Sequence, residues 1–394
     1  MSDTASIDRV LSAAVERGDA AGVVATAATD RDTIYEGAFG RREAGKPDAM
    51  TVDSVFWIAS MTKAIVSAAA MQMVDQGKVT LEQDLGPILP ALAGRQVLEG
   101  WDGPGKPRLR PARTPITLRH LLTHTAGFSY DMWNADIGRY QREMGVPGII
   151  SCEEKALTTP LIADPGTQWE YGINIDFAGK LVEALSGQKL DSYLRAHILD
   201  PLGMNETGFR IRPEQRSRLV AMHARAPDGS LAPIPFEIPQ EPEFHMGGGG
   251  LYSVARDYLA FCRMILNRGS LNGAQLLRPE TVELMSRNHM GDINVTKLVT
   301  VETAATHDAE FFPGMVKKCG LGFMISTEAV PARRSAGSLT WAGLGNTYFW
   351  IDPSARIAGV ILTQSLPFAD PAVLRIYDAF ETEVYRTSEA QAAA

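Results

Sequence analysis

Cysteine is scarce: Cys152, Cys262 and Cys319 are the three in 394 residues. An odd, widely spaced set excludes a disulfide framework and suits reduced thiols in a cytoplasm. None stands at a zinc-binding spacing, and the seven histidines form no His-Glu-x-x-His pattern, so neither metal nor cofactor is expected. Basic blocks are missing as well. A net charge of −8 without a lysine- and arginine-rich run argues against a nucleic-acid or anionic-membrane partner. No stretch approaches the ~18 apolar residues of a membrane span. Residues 1–9 carry Asp3 and Asp8 and no apolar run, and do not read as a secretory signal. A Gly-x-Ser-x-Gly turn is absent throughout, which removes the nucleophile elbow of the α/β-hydrolases. What remains, 45% hydrophobic and 21% charged, is the composition of an ordinary globular chain, long enough for two domains or one large one.

Chemistry concentrates in Ser60-Met61-Thr62-Lys63. A Ser-x-x-Lys spacing at the head of a helix puts hydroxyl and amine on one face, with Cβ atoms about 5–6 Å apart. From Ala64 to Val74 no residue is charged, so the helix reads as buried all round. Burial and the helix dipole both disfavour an ammonium in that first turn. A neutral amine there is a general base for a serine nucleophile, and the unpaired amides of a helix start, Ser60 among them, suit a developing oxyanion. The spacing alone does not separate catalysis from chance, which supplies roughly 0.5 such matches at this composition. A second match, Ser186-Gly187-Gln188-Lys189, follows Leu181, Val182 and Leu185 and contains a glycine, the mark of a helix end.

Along the chain, residues 7–16 predict a first helix and residues 22–29 and 33–39 a hairpin. Residues 94–115, rich in proline, glycine and arginine, predict a long surface loop. Thr117 is expected to cap a short helix ended by Gly127, and Asn174 to cap a helix with Phe177, Leu181 and Leu185 on its apolar stripe. Tyr171, in the loop before that helix, is by itself as well explained by packing. Residues 200–204 read as a turn, and the run to Pro242 as irregular. Four glycines, Gly247 to Gly250, lack the Gly-Lys-Ser/Thr of a nucleotide loop and suit close backbone approach beneath a pocket. Ser253 is expected to cap a helix over 254–266, and the loop 290–318 to cover a site. Strands at 320–326, 338–342, 346–351 and 357–364 and a helix at 372–385 complete the chain. Strands at both ends with helices between predict an α/β (α+β) fold: an antiparallel sheet flanked by helices, from residues 1–78 and 246–394, beside a mainly helical lobe, 79–245, with a cleft between.

These motifs together resemble those of the serine hydrolases related to class C β-lactamases and penicillin-binding proteins, and within them the family VIII carboxylesterases. The resemblance spans nearly the whole chain. It rests on Ser60-Met61-Thr62-Lys63, the Leu121-Leu122-Thr123-His124-Thr125-Ala126-Gly127 run, Tyr171, the four glycines and Trp341-Ala342-Gly343. It implies a β-lactamase-like fold in which Ser60 attacks an acyl carbonyl, while Lys63 and Tyr171 share the proton transfers in an order left open. It also implies an oxyanion hole from the amides of Ser60 and Leu344, a substrate wall at Trp341, Gly343, Ile173 and Asn174, and a structural His124.

Two departures from the class C pattern bear on substrate. Tyr-x-Asn becomes Tyr171-Gly172-Ile173, with the nearby amide at Asn174, and Lys-Thr-Gly becomes Trp341-Ala342-Gly343. An indole in place of that cation removes the anchor for a carboxylate and adds apolar wall for a neutral ester. The resemblance then implies a cytoplasmic carboxylesterase, acting through an acyl-enzyme on small-molecule esters of short to medium chain. An acyltransferase, a small-amide hydrolase, a weak β-lactamase and a penicillin-binding-like binding protein are the alternatives.

Overall fold

A computed structural model describes residues 4–392 of the chain. Its centre is a seven-stranded antiparallel sheet in the order Lys317–Cys319, Met324–Ser326, Leu339–Gly343, Thr347–Asp352, Ile357–Leu362, Gly22–Thr29, Thr33–Gly40. The expected hairpin of the first strands and the strand-rich C-terminal part thus join in one sheet, with Gly22–Thr29 pairing Ile357–Leu362 from Val24 opposite Leu362 to Thr29 opposite Ile357. Every residue of Leu339–Gly343, Thr347–Asp352 and Ile357–Leu362 is buried. Such strands are covered on both faces, which explains their unbroken apolar runs.

Helices supply the cover. Helix Ala255–Leu266 packs on strands Gly22–Thr29, Thr347–Asp352 and Ile357–Leu362, and Ala5–Glu16 packs against Pro371–Ala392. The helix after Ser60, Thr62–Asp75, is buried from Thr62 to Met73 and packs on Asn174–Ser186. Its uncharged run is therefore core, each fully buried Ile, Val or Met contributing about 1.5–3 kcal/mol. No described helix is long and apolar enough to cross a membrane.

Several segments differ from the sequence expectation. Residues 94–115 are not a bare loop: Gln96–Trp101 and Pro107–Pro111 form a hairpin, fixed by buried Val97 and Leu98 and by Arg110, which donates twice to Asp164 at 2.8 Å. Two of the four prolines that suggested irregularity, Pro107 and Pro111, sit at the two ends of a strand, where the missing N–H is tolerated. The polar run after Met204 holds a second hairpin, Met222–Arg225 with Leu231–Ile234, whose signal was the turn sequence Pro227-Asp228-Gly229. Residues 200–204 extend an irregular helix, Arg195–Leu199 into Asp200–Leu202, before Gly203 ends it. Ser253 lies in a short strand and bonds Thr207 instead of capping. Thr117 does cap Leu118–Leu122, accepting from the His120 amide.

Candidate active site

Ser60 lies in a single 3₁₀ turn, Ala59–Met61, that feeds helix Thr62–Asp75. The turn is pinned on every side. Ile58 N–H donates to Leu251 C=O at 3.0 Å, Trp57 N–H to Gln364 Oε1 at 2.8 Å, and Tyr258 O–H to Met61 C=O at 2.8 Å. Gly343, on the adjacent strand, runs so close that a Cβ there would meet Ile58 O at 2.3 Å, so only glycine fits. Ala59, with φ at +44°, occupies a backbone region costing about 1–3 kcal/mol in a non-glycine residue. Such strain persists where the surroundings dictate the conformation, and here it sets the aim of Ser60.

Lys63 is buried. Its Nζ stands 2.9 Å from Ser60 Oγ, 3.0 Å from the Tyr130 hydroxyl and 2.6 Å from Gly248 C=O. The carbonyl can only accept, so it always takes one N–H. The two hydroxyls can accept from an ammonium or donate to a neutral amine, which makes Lys63 the junction through which a proton leaves Ser60. The four-glycine run thus provides a carbonyl for the amine.

Two tyrosines flank the junction. Lys63 Nζ lies 4.8 Å from the Tyr171 ring centroid and 5.2 Å from that of Tyr130, and the rings meet edge to face at 5.2 Å. Tyr171 O–H accepts from Trp341 Nε1–H at 3.1 Å; the hydroxyl in hydrogen-bond contact with Lys63 is that of Tyr130. Sequence reasoning missed Tyr130. It stands three residues past Gly127, just beyond the Leu121–Gly127 motif, and nothing in its spacing pointed to Lys63. Burial, followed by the nearby Asp176 charge, holds its phenol well above the ordinary range.

A narrow cavity of about 50 Å³ opens over Ser60, lined by Trp57, Met132, Ile150, Phe311, Trp341 and Leu344 among others, and no charged side chain is in that lining. Leu298 and Phe311 bring the 290–318 segment to it, and Leu344 follows strand Leu339–Gly343 to the same wall. Three expected wall residues do not line it. Gly343 is packed against Ile58. Ile173 is buried at the start of helix Asn174–Ser186. Asn174 is the first residue of that helix and not its cap, and its Nδ2 donates to His124 Nδ1 at 3.0 Å and Glu170 C=O at 3.3 Å. The amide is turned into the protein because a buried imidazole needs a partner. His124 is buried, and burial, then Lys63, holds its imidazole well below its ordinary value. Ser186 closes its helix ahead of Gly187, which adopts the left-handed conformation. Among the described residues no group of three or more His, Cys, Asp and Glu is placed to hold a metal.

The family profile described as Beta-lactamase matches residues 7–383. Monacolin J acid methylbutanoyltransferase of Aspergillus terreus is 32% identical over 373 residues, covering 89% of this chain and 88% of that one. Lovastatin esterase of Penicillium rubens is 32% identical over 406 residues, covering 96% and 98%. Among solved structures, a LovD6 mutant of simvastatin synthase from Aspergillus terreus superposes with a TM-score of 0.84 at 29% identity, covering 98% of this chain and 95% of that one. EstCE1, described as a hydrolase with promiscuous acyltransferase activity, gives 0.76 at 25% identity, covering 96% and 98%.

Proposed function

The chain belongs to the Beta-lactamase family, and from that premise we propose that it is a serine carboxylesterase of the family VIII type, acting on small neutral esters through an acyl-enzyme on Ser60. The observation that carries the reading is the 2.9 Å contact of Ser60 Oγ with a buried Lys63 amine at the floor of a cavity without charged lining. Ser60 Oγ bonds to the acyl carbon as its proton passes to the Lys63 amine. The amides of Ser60 and Leu344 receive the oxyanion, a preorganised pair whose members each typically contribute about 2.7–4 kcal/mol. Proton return through Lys63 with Tyr130 and Tyr171 expels the alkoxide as alcohol. Water then repeats the sequence on the acyl-enzyme and releases the acid.

An alcohol in place of water gives acyl transfer by the same steps. The methylbutanoyltransferase similarity favours this second reading as much as the esterase similarity favours the first, and only the acceptor separates them. Three buried free thiols support a cytoplasmic setting, and the acidic balance supports a small-molecule partner without nucleic acid or membrane. We read residues 1–78 with 246–394 and residues 79–245 as two lobes flanking the cavity.

The test is p-nitrophenyl ester turnover with and without an added alcohol. Ser60→Ala is expected to abolish both p-nitrophenol release and labelling by a fluorophosphonate, and Ser186→Ala to leave both intact. Turnover that survives Ser60→Ala overturns the reading.

A further inference from the structure

Asp176 lies in the first turn of helix Asn174–Ser186 and is fully buried. One carboxylate oxygen accepts from Gly248 N–H at 2.9 Å, and the carbonyl of that same glycine accepts from Lys63 Nζ at 2.6 Å. The other oxygen, Oδ2, has no hydrogen-bond partner. A Cβ on Gly248 would stand 2.5 Å from Oδ2 and 3.1 Å from the Tyr130 hydroxyl, so carboxylate and phenol flank one α-carbon. A buried carboxylate with one oxygen unsatisfied is costly, by several kcal/mol before compensation. Holding a single amide does not require it, since a neutral asparagine oxygen would accept the same bond.

We infer that Asp176 is a positioning residue: through Gly248 it aims the Lys63 amine at Ser60, and its carboxylate sets the charge against which Lys63 and Tyr130 exchange protons. This rests on the Ser60 reading above. The titratable groups that interact with Asp176 are Lys63 from helix Thr62–Asp75, Tyr130 from the loop beyond helix Leu118–Leu122, and Cys152, while Tyr171 and Asp131 act on Tyr130 in turn. Burial raises the Asp176 carboxyl to about 6, with Lys63 drawing it back down. Burial and then Asp176 push the Cys152 thiol up to about 12, and burial raises Asp131. Removing the Asp176 charge favours proton loss from Tyr130, whose hydroxyl contacts the Lys63 amine.

Asp176→Asn keeps the acceptor for Gly248 and removes the charge. Its pH profile of kcat/KM for p-nitrophenyl acetate is expected to move to lower pH by about one unit or more, with kcat at its own optimum within about tenfold of the parent chain. Asp176→Ala, which also frees Gly248, is expected to show the same displacement and a further loss of about tenfold in kcat. An Asn profile that superimposes on the parent overturns the inference. Carbon-13 NMR of aspartate-labelled protein gives the answer with Asp176 in place: one carboxyl midpoint near 6 is expected to move upward in Lys63→Met, and unchanged midpoints overturn the inference. Loss of turnover in Ser60→Ala alongside an unshifted Asp176→Asn sinks only this inference, whereas turnover in Ser60→Ala sinks the reading beneath it.

Discussion

Trp341 donates its indole N–H to the Tyr171 hydroxyl at 3.1 Å, with the two rings 4.9 Å apart. Both side chains are buried at the cavity wall, and Phe311 stacks on the indole at 5.5 Å. The indole therefore has two separable properties, an apolar face and a donor. The Tyr171 oxygen is engaged as an acceptor, which leaves its own proton to be given elsewhere.

Trp341→Phe removes the donor and keeps most of the face. One neutral hydrogen bond contributes about 0.5–1.5 kcal/mol, so kcat for a short p-nitrophenyl ester is expected to fall about two- to tenfold, with KM little changed. A rise in KM at constant kcat would assign the indole to binding alone.

Tyr130 touches Lys63 directly and Tyr171 lies with its ring against it, so the two phenols act on one amine. Tyr130→Phe and Tyr171→Phe are each expected to lower kcat/KM by tenfold or more, and the double variant by less than the product of the two, because groups that work as a unit lose function non-additively. Losses that multiply would place the tyrosines in separate networks.

How much of this was legible beforehand follows from the range of the interactions. The Ser60 to Lys63 contact is local, fixed by helical spacing, and the sequence carries it in full. The strands near both termini were likewise readable, since their β-branched and aromatic runs answer to burial on both faces. Tyr130, Asp176 and Gly248 meet only through tertiary packing, across separations of 67 and 185 residues from Lys63 for the first and last. No local pattern records that. Asn174 misled for a related reason: its type suits a helix cap, but a buried His124 offered a stronger partner than the helix's own amides. Proline content concealed the hairpin of Gln96–Trp101 with Pro107–Pro111, whose pairing depends on where its prolines fall and not on how many there are.

Away from the cavity lining, Arg334 and Glu381 form a fully buried pair, with Arg334 Nε and Nη2 donating to the carboxylate at 2.7 Å each and the guanidinium 5.0 Å from the Phe312 ring. Glu381→Ala leaves that cation uncompensated and is expected to cost about 3–5 kcal/mol, read as a lower urea midpoint at unchanged slope. Replacing both by methionine is expected to cost much less, because the desolvation penalty goes with the charges. A double variant as unstable as the single would show that packing, not charge, stabilises this part of the fold.

The last prediction concerns β-lactams. Ser60 and Lys63 are placed as an acylating pair, so slow opening of a lactam is compatible with the geometry. Efficient turnover also needs an anchor for the substrate carboxylate. The cavity lining carries no arginine or lysine, Trp341 stands on its wall, and the Asn174 amide is committed to His124 and Glu170. A chromogenic cephalosporin is therefore expected to be hydrolysed more slowly than a short-chain p-nitrophenyl ester by at least about 10³ in kcat/KM, or ~4 kcal/mol of transition-state stabilisation. Both constants are to be measured on one preparation, and comparable values would make the chain a lactamase. Trp341→Lys tests the cause. If the indole sets the preference, the variant loses ester activity and gains cephalosporin binding. An unchanged ratio would move the preference to Leu298 and Phe311, the side chains that segment 290–318 lays along the same cavity.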